Sequence, residues 1–255
     1  MLKIQTFGNK THITDLLIVH GLFGSGRNWR AIARNISSDR QVHVVDMRNH
    51  GESFWNADNS YESMAEDLKK IITSLKSSVD VLGHSMGGKA SMVLAINNPD
   101  LVNRLLIVDI APTKYQHDQS INISIMKNLP IDDLSRRSDA DLILKKTLPD
   151  DALRAFFLQS LIISPNGNSW QLNLDALDKN MDKIIGFPDV SDQFNGMTFF
   201  LKGELSNYIS DKDLPNINRL FPRNKIITIK NSGHWVHAEA TRDFLISVKE
   251  YLSGS

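Results

Sequence analysis

The five residues Gly83-His84-Ser85-Met86-Gly87 give this chain its most specific local prediction. They directly follow the short apolar run of residues 79–82 and precede a stretch that can form a helix. Small residues two positions before and two after the serine let a strand and a helix cross closely, with the serine on a sharp, strained turn. The segment therefore predicts a strand, a nucleophile elbow and a helix, with the hydroxyl of Ser85 exposed above the end of a sheet.

Short apolar runs alternate with amphipathic segments along much of the chain. This alternation is typical of an α/β protein, in which helices cover both faces of a mostly parallel, twisted sheet. The predicted strands are residues 16–19, 42–45, 79–82, 105–108, 198–201 and 226–229. Apolar residues recur at three- and four-residue spacing over residues 61–75 and 244–252, which predicts two helices with one core face each.

The alternation of strands and helices stops between Pro112 and Asn195. A gap of that length is too long for one structureless loop in a compact domain, and residues 153–163 and 174–185 have helical patterns. We therefore predict an inserted segment, residues 112–195, that forms a helical cap over the carboxyl ends of the strands. The predicted core consists of residues 1–111 and 196–255.

Composition excludes several classes of function. The 255 residues contain 29 Lys plus Arg and 29 Asp plus Glu, so no net charge favours nucleic acid or an anionic membrane surface. No apolar run is long enough to span a bilayer, and the first residues resemble a strand rather than a signal peptide. With no cysteine, the chain has neither disulfides nor a cysteine nucleophile, which fits the cytoplasm.

No metal or cofactor is predicted. The eight histidines lack a metal-ligand spacing such as H-E-x-x-H, and no phosphate-binding loop occurs. Gly24-Ser25-Gly26 lacks the second glycine block and the acidic residue of a dinucleotide-binding motif.

A serine hydroxyl needs a general base within hydrogen-bond reach to act as a nucleophile at neutral pH. His234 is the predicted base, because it lies in a loop after the last predicted strand. That position fits the order serine, acid, histidine that follows a nucleophile elbow of this kind. His237 is the one rival, and we expect it to stabilise the loop instead.

The acid that orients the histidine should lie at the same edge of the sheet. Asp109 ends the strand 105–108, which is expected to neighbour the strand that carries Ser85, so both open onto one crevice. Asp211, Asp213 and Glu204 remain as alternatives later in the chain.

An acyl-transfer site also needs donors for the oxyanion of its tetrahedral intermediate. The backbone N–H of Met86, directly after the nucleophile, is one predicted donor. The second is the N–H of Leu22 in the early loop His20-Gly21-Leu22-Phe23-Gly24, with the N–H of Phe23 as the alternative.

Five motifs in chain order, HGLFGSGRNW, DMRNHGES, GHSMGGKA, VDIAP and GHWVHAE, resemble those of serine esterases of the α/β-hydrolase fold. They resemble above all the group of the bacterial esterase YbfF and its mammalian relatives. The resemblance covers the core from His20 to Glu239 and weakens in the inserted segment. It implies hydrolysis of carboxylic esters or thioesters through an acyl-enzyme on Ser85.

The resemblance also indicates which residue is the acid that orients His234. In most members of this fold the acid follows the seventh strand in a G-x-x-D loop, but here that loop is Gly203-Glu204-Leu205-Ser206. The YbfF group carries its acid at the end of the sixth strand, which implies Asp109.

Two aromatic residues, Phe23 and Trp235, adjoin predicted catalytic elements and are expected to contact the substrate. Four apolar residues of the inserted segment could roof the same site, although packing explains each of them as well: Phe156, Phe157, Leu161 and Trp170. We expect this site to prefer short to medium acyl chains.

Other functions of the same scaffold stay open. Ser85 excludes the dehalogenases and epoxide hydrolases that use an aspartate nucleophile, whereas carbon–carbon bond hydrolases, perhydrolases and acyltransferases share the same catalytic groups. A ligand-binding receptor on a hydrolase scaffold is the alternative from another class.

Overall fold

The computed structural model describes residues 1–117 and 119–254. Over these residues, seven strands form one sheet and two short strands form a separate hairpin. The strands are β1 (Ile4–Phe7), β2 (Leu16–Val19), β3 (Val42–Val45), β4 (Val79–His84), β5 (Val102–Val108), β6 (Leu161–Ile162), β7 (Ser169–Trp170), β8 (Met197–Gly203) and β9 (Asn224–Ile229).

The helices surround this sheet and fill the inserted segment. They are α1 (Arg30–Ile36), α2 (Tyr61–Leu75), α3 (Met86–Asn97), α4 (Ser120–Lys127), α5 (Arg137–Leu144), α6 (Asp151–Leu158), α7 (Leu174–Lys179), α8 (Met181–Ile185), α9 (Leu214–Leu220), α10 (Val236–Glu239) and α11 (Thr241–Ser253). None of the helices in the described part of the chain has the length and apolar character needed to cross a membrane.

The sheet has the strand order β1-β3-β2-β4-β5-β8-β9, with β1 antiparallel to β3 and every other neighbour parallel. All six predicted strands are present, and β2, β3 and β4 are buried along their whole length, as a sheet covered on both faces requires. Helices α2 and α3 pack on one face, and α1 and α11 pack on the other. The predicted fold class is confirmed.

The inserted segment differs from its predicted helical pattern. The helix predicted over residues 153–163 is wrong in its last part, because α6 ends at Leu158 and the hairpin of β6 and β7 follows. Pro165 and Gly167, the latter at φ +110°, form the turn of this hairpin and cannot continue a helix. The helix predicted over residues 174–185 is divided at Asn180 into α7 and α8.

The inserted segment contacts loops at the carboxyl edge of the sheet. The N–H of Gly51, in the loop after β3, donates to the carbonyl of Gln171 at 2.8 Å. The hydroxyl of Ser160 donates to the carbonyl of Phe23, in the loop after β2, at 3.2 Å. These contacts hold the segment above the place where the catalytic loops are expected.

A buried lysine joins the inserted segment to helix α3. Lys89 is 1 % exposed, and its Nζ donates to the carbonyls of Thr113 (2.8 Å), Ile185 (2.9 Å) and Gly186 (2.5 Å). It also lies 4.6 Å from the centre of the Tyr115 ring. Burial lowers the pKa of Lys89 to about 7. The two ends of the inserted segment therefore share one anchor on the helix that begins after Ser85.

Candidate active site

Ser85 occupies a strained turn between β4 and α3, at φ +53° and ψ −121°. The two flanking positions, 83 and 87, must be glycine because a Cβ atom would not fit at either of them. A Cβ atom on Gly83 would lie 2.6 Å from both the carbonyl of Gly87 and the hydroxyl of Ser91, and one on Gly87 would clash with the carbonyl of His20. The sequence of strand, turn and helix predicted around Ser85 is therefore present, with the hydroxyl at the carboxyl edge of the sheet.

Three predicted residues come together at this edge. The imidazole Nε2 of His234 lies 3.0 Å from the hydroxyl oxygen of Ser85, and its Nδ1 lies 2.8 Å from Oδ2 of Asp109. A carboxylate can only accept, so Nδ1 carries the hydrogen and Nε2 is free to accept the serine proton. Each residue follows the end of a different parallel strand: β4, β5 and β9.

Asp109 is fully buried and accepts three hydrogen bonds. The N–H of Gly203 donates to Oδ1 at 3.0 Å, and the hydroxyl of Ser206 donates to Oδ2 alongside His234. Buried polar groups need such partners, and a carboxylate needs them most. The backbone of Asp109 is at φ +50°, which turns the chain sharply after β5.

The alternative acids are engaged away from His234. Glu204 accepts the N–H of Asn231 at 2.9 Å, and Asp213 accepts the N–H of Ser210 at 2.8 Å. Asp211 is exposed at the start of a 3₁₀ turn. The structure therefore brings Asp109, and none of these three, to the imidazole.

The loop that carries His234 is held at several points. Nε2 of His84, inside the elbow motif, donates to the carbonyl of His234 at 2.9 Å. The carboxylate of Glu239 accepts the N–H of Gly233 at 2.7 Å and that of Trp235 at 3.2 Å. These contacts leave the His234 ring little freedom to turn away from Ser85.

The ring of Tyr208 stacks on the ring of His234, with centroids 3.9 Å apart and planes 21° apart. The sequence analysis missed Tyr208, because no local pattern marks a residue that stacks on a histidine 26 positions later in the chain.

Leu22 and Met86, whose N–H groups are the two predicted oxyanion donors, line a small cavity together with Ser85. Within residues 1–117 and 119–254, neither the N–H of Leu22 nor that of Met86 has a hydrogen-bond acceptor in the protein. The N–H of Phe23, the alternative donor, is occupied by Nε2 of His50 at 3.2 Å. The geometry thus favours Leu22 over Phe23 as the partner of Met86.

Two buried histidines hold the loop that contains Leu22. His50 donates from Nδ1 to the carbonyl of Arg48 at 2.9 Å, which leaves Nε2 as an acceptor for Phe23. His20 donates from Nδ1 to the carbonyl of Gly21 at 2.8 Å and accepts the N–H of Met47 at 2.9 Å.

Both of these histidines are uncharged at neutral pH. Burial lowers the pKa of His20 to about 4 and that of His50 to about 3. Their neutral rings tie the loop after β2 to the loop after β3. Nothing in the local sequence around His20 or His50 indicates these hydrogen bonds.

A cavity of about 330 Å³ opens beside Ser85 and His234. Phe23 and Trp235 both line it, as predicted for residues that contact substrate. From the inserted segment, Phe156 and Phe157 line it as well; Phe156 packs 5.6 Å from Trp235, and Phe157 packs edge-on at 5.3 Å from Phe23.

The other two residues of the inserted segment that could roof the site do not line this cavity. Leu161 and Trp170 pair in the hairpin of β6 and β7 and are buried in the core, away from this cavity. A second, smaller cavity of about 40 Å³ also borders Ser85, and Leu22, Met86 and Lys89 contribute to its wall.

His237 packs under the catalytic loop. Its ring stacks on Trp29 with centroids 4.1 Å apart and reaches the wall of the large cavity. No group of three His, Asp or Glu residues in the described ranges is arranged to hold a metal ion.

Comparison with known proteins identifies the family to which the chain belongs. Residues 15–241 match the alpha/beta hydrolase fold family. The chain is 38% identical over 247 residues to the mouse sn-1-specific diacylglycerol lipase ABHD11, covering 93% of this chain and 80% of the relative. It is 30% identical over 256 residues to esterase YbfF of Escherichia coli strain K12, covering 99% and 98%. A solved marine microorganism esterase is 38% identical with a TM-score of 0.92, covering 98% of each chain.

The chain belongs to the α/β hydrolase family. Within that family it is a carboxylesterase-type hydrolase, and its predicted resemblance to the YbfF group is confirmed.

Proposed function

We propose that this protein hydrolyses carboxylic esters through an acyl-enzyme on Ser85, with His234 as general base and Asp109 as the acid that orients it. The observation that carries the proposal is the continuous hydrogen-bond chain from Ser85 through His234 to Asp109, with distances of 3.0 and 2.8 Å. The ester-hydrolysing class named for the relatives supports the same reaction.

The proposed mechanism follows from these positions. Nε2 of His234 takes the proton of Ser85 as the hydroxyl oxygen attacks the ester carbonyl carbon. The carbonyl oxygen becomes an oxyanion, which the N–H groups of Leu22 and Met86 stabilise. The imidazolium then gives its proton to the departing alcohol oxygen, and an acyl group remains on Ser85. Water attacks this acyl-enzyme with the same base, which releases the acid and restores the serine.

The substrate is proposed to carry a short to medium acyl chain, as an oxygen ester or a thioester. The large cavity has an aromatic wall formed by Phe23, Phe156, Phe157 and Trp235, so it should sense an acyl chain by volume rather than by charge. The mouse relative's name indicates acylglycerol esters, which contain the same type of bond.

Turnover of p-nitrophenyl acetate and butyrate tests the proposed function, combined with labelling by a serine-directed fluorophosphonate. We expect turnover and a single labelled residue, Ser85, by peptide mass spectrometry. The Ser85→Ala protein should be unlabelled. A folded protein that neither turns over any ester nor takes the label would contradict the proposal and favour a binding role.

Two further parts of the proposal concern the division of the chain into domains and the location of the protein in the cell. The division into a core of residues 1–111 and 196–255 and a cap of residues 112–195 can be tested by limited proteolysis. A cytoplasmic location stays a prediction that fractionation of the native cells can test.

A further inference from the structure

His237 is a buried side chain that the proposed mechanism does not use. The residue is 9 % exposed, and its Nδ1 is enclosed without any hydrogen-bond partner. Its other nitrogen, Nε2, also has no hydrogen bond to any residue in the described part of the chain. A buried polar group without a partner costs stability, so such a group calls for a functional explanation.

The surroundings of His237 fix its ring and its charge state. Trp29 stacks on it at 4.1 Å, Phe244 meets it edge-on at 6.3 Å, and His84 lies 5.0 Å away. Burial and the nearby His234 lower the pKa of His237 to about 3, so the ring is neutral at neutral pH.

A neutral imidazole has one N–H and one bare nitrogen. An enclosed N–H without an acceptor is costlier than an enclosed bare nitrogen, so the hydrogen belongs on Nε2 rather than on the enclosed Nδ1. His237 therefore has a donor available on the ring that lines the large cavity.

His84 lines the same cavity and can accept a hydrogen bond, whereas His237 can donate one. Its Nε2 donates to the carbonyl of His234, so its Nδ1 is a bare acceptor. The two rings line the large cavity side by side with their centres 5.0 Å apart, one able to donate a hydrogen bond and the other able to accept one. A hydroxyl group, which both accepts and donates a hydrogen bond, matches this pair.

We propose that His237 and His84 form a subsite for a hydroxyl group on the alcohol part of the substrate ester. The inference rests on the proposed function, because the departing alcohol oxygen must receive its proton from Nε2 of His234. His234 lines the large cavity with His237, whereas the small cavity next to Ser85 has no contribution from His234 among the described residues. Both parts of the ester therefore occupy the large cavity, with the acyl chain against its aromatic wall and the alcohol part on the side of His237.

Matched esters test this subsite in the wild-type enzyme. We would compare kcat/KM for 2-hydroxyethyl butyrate, 2-methoxyethyl butyrate and propyl butyrate, since hydroxyethyl and propyl esters have nearly the same size. The hydroxyl ester should be preferred over the propyl ester by about 3- to 10-fold, the effect of one neutral hydrogen bond, with the methoxy ester between them. Propyl 3-hydroxypropanoate, with its hydroxyl on the acyl side, should show no advantage over propyl butyrate.

Substitution of His237 assigns the preference to that ring. His237→Phe keeps an aromatic ring against Trp29 but removes both nitrogens, so the preference ratio should fall clearly below its wild-type value, to what the acceptor of His84 supplies alone. His237→Gln restores an N–H donor and should keep part of the preference, which provides a second test if the phenylalanine variant does not fold. Leu153→Ala is the matched control, because it enlarges the same cavity without changing its polarity and should leave the ratio as in wild type.

Three results would overturn the subsite: equal kcat/KM for the hydroxyethyl and propyl esters in wild type, a preference that is undiminished in His237→Phe, or a hydroxyl preference on the acyl side. Each of these can occur while Ser85 still turns over esters and takes the fluorophosphonate label. Loss of both turnover and labelling would instead contradict the proposed function itself.

Discussion

The hydroxyl of Ser206 donates a hydrogen bond to the same carboxylate oxygen of Asp109 that contacts Nδ1 of His234. Ser206 stands where most proteins of this fold carry the acid, in the loop after β8. The usual position of the acid and the position of Asp109 are therefore next to each other in the structure. The serine contributes a donor there, and the aspartate contributes the charge.

We predict that Ser206→Ala lowers kcat by about 10- to 100-fold, because Asp109 loses one of its donors and a hydrogen bond to a charged group is stronger than a neutral one. Ser206 acts through Asp109 and does not touch the substrate, so KM should change little. Steady-state kinetics separates the two parameters. Ser206→Thr keeps the hydroxyl and should restore most of the activity; equal loss in both variants would indicate a packing role only.

Asp109→Asn should lower kcat by about 10⁴-fold, since an amide can hold the imidazole in the wrong tautomer. Asp211→Asn and Asp213→Asn are the matched controls, because neither carboxylate contacts His234, and both should stay close to wild type. Hydrolysis of p-nitrophenyl butyrate measures all three. High activity in Asp109→Asn, together with loss in either control, would place the acid after β8.

Ser85→Ala should remove nearly all ester hydrolysis, with a loss in kcat near 10⁶-fold, as for other serine nucleophiles. The fold should persist, because alanine fits the turn and the flanking glycines are unchanged. Circular dichroism and thermal unfolding check the fold. Retention of more than a few per cent of the activity in well-purified protein would exclude Ser85 as the nucleophile.

The buried His20 predicts how stability depends on pH. Its pKa is about 4 in the folded protein against an ordinary value of 6.5, so the unfolded chain binds its proton first as the pH falls. The stabilisation is fully present above pH 6.5 and is lost between pH 6.5 and about 4, by up to about 3 kcal/mol.

Urea unfolding between pH 7 and pH 4.5 measures this loss. His20→Gln should show a shallower decline with pH than wild type, whereas His12→Gln, at an exposed position, should match wild type. Identical declines in wild type and His20→Gln would contradict the prediction.

Trp235→Ala should change the dependence of kcat/KM on acyl length. The indole packs on Phe156 across the cavity, so its removal widens the space and should shift the optimum to longer chains or flatten it. Each buried methylene contributes up to about 0.8 kcal/mol until the cavity is full, which gives a rise and then a fall from acetate to palmitate. A wild-type rate that still climbs at palmitate would indicate an open groove instead.

Local sequence was enough to predict the elements that position the site. The strands are nearly continuous apolar runs, and the glycines around Ser85 are required by steric contact, so both leave a pattern in a few adjacent residues. Asp109 could be predicted because a parallel sheet gathers the carboxyl ends of its strands at one edge.

The contacts that support the site could not be predicted in the same way. Ser206, Tyr208 and His50 each act on a partner from another part of the chain, and nothing local distinguishes them from ordinary loop residues. The helix predicted over residues 153–163 is wrong in its last part for a related reason. Leu161 and Trp170 are buried because they pair across a hairpin. The apolar residues of the short stretch 153–163 also fit the spacing of a helix, so the local sequence does not distinguish the two arrangements.

The anchoring of both ends of the inserted segment on Lys89 has a consequence for engineering. Exchange of residues 112–195 for the corresponding segment of another hydrolase would remove at once all three carbonyl acceptors of the buried Lys89 amino group. A graft therefore has to bring its own acceptors or be paired with a neutral residue at position 89. One side chain of helix α3, Lys89, therefore limits which segments can replace residues 112–195.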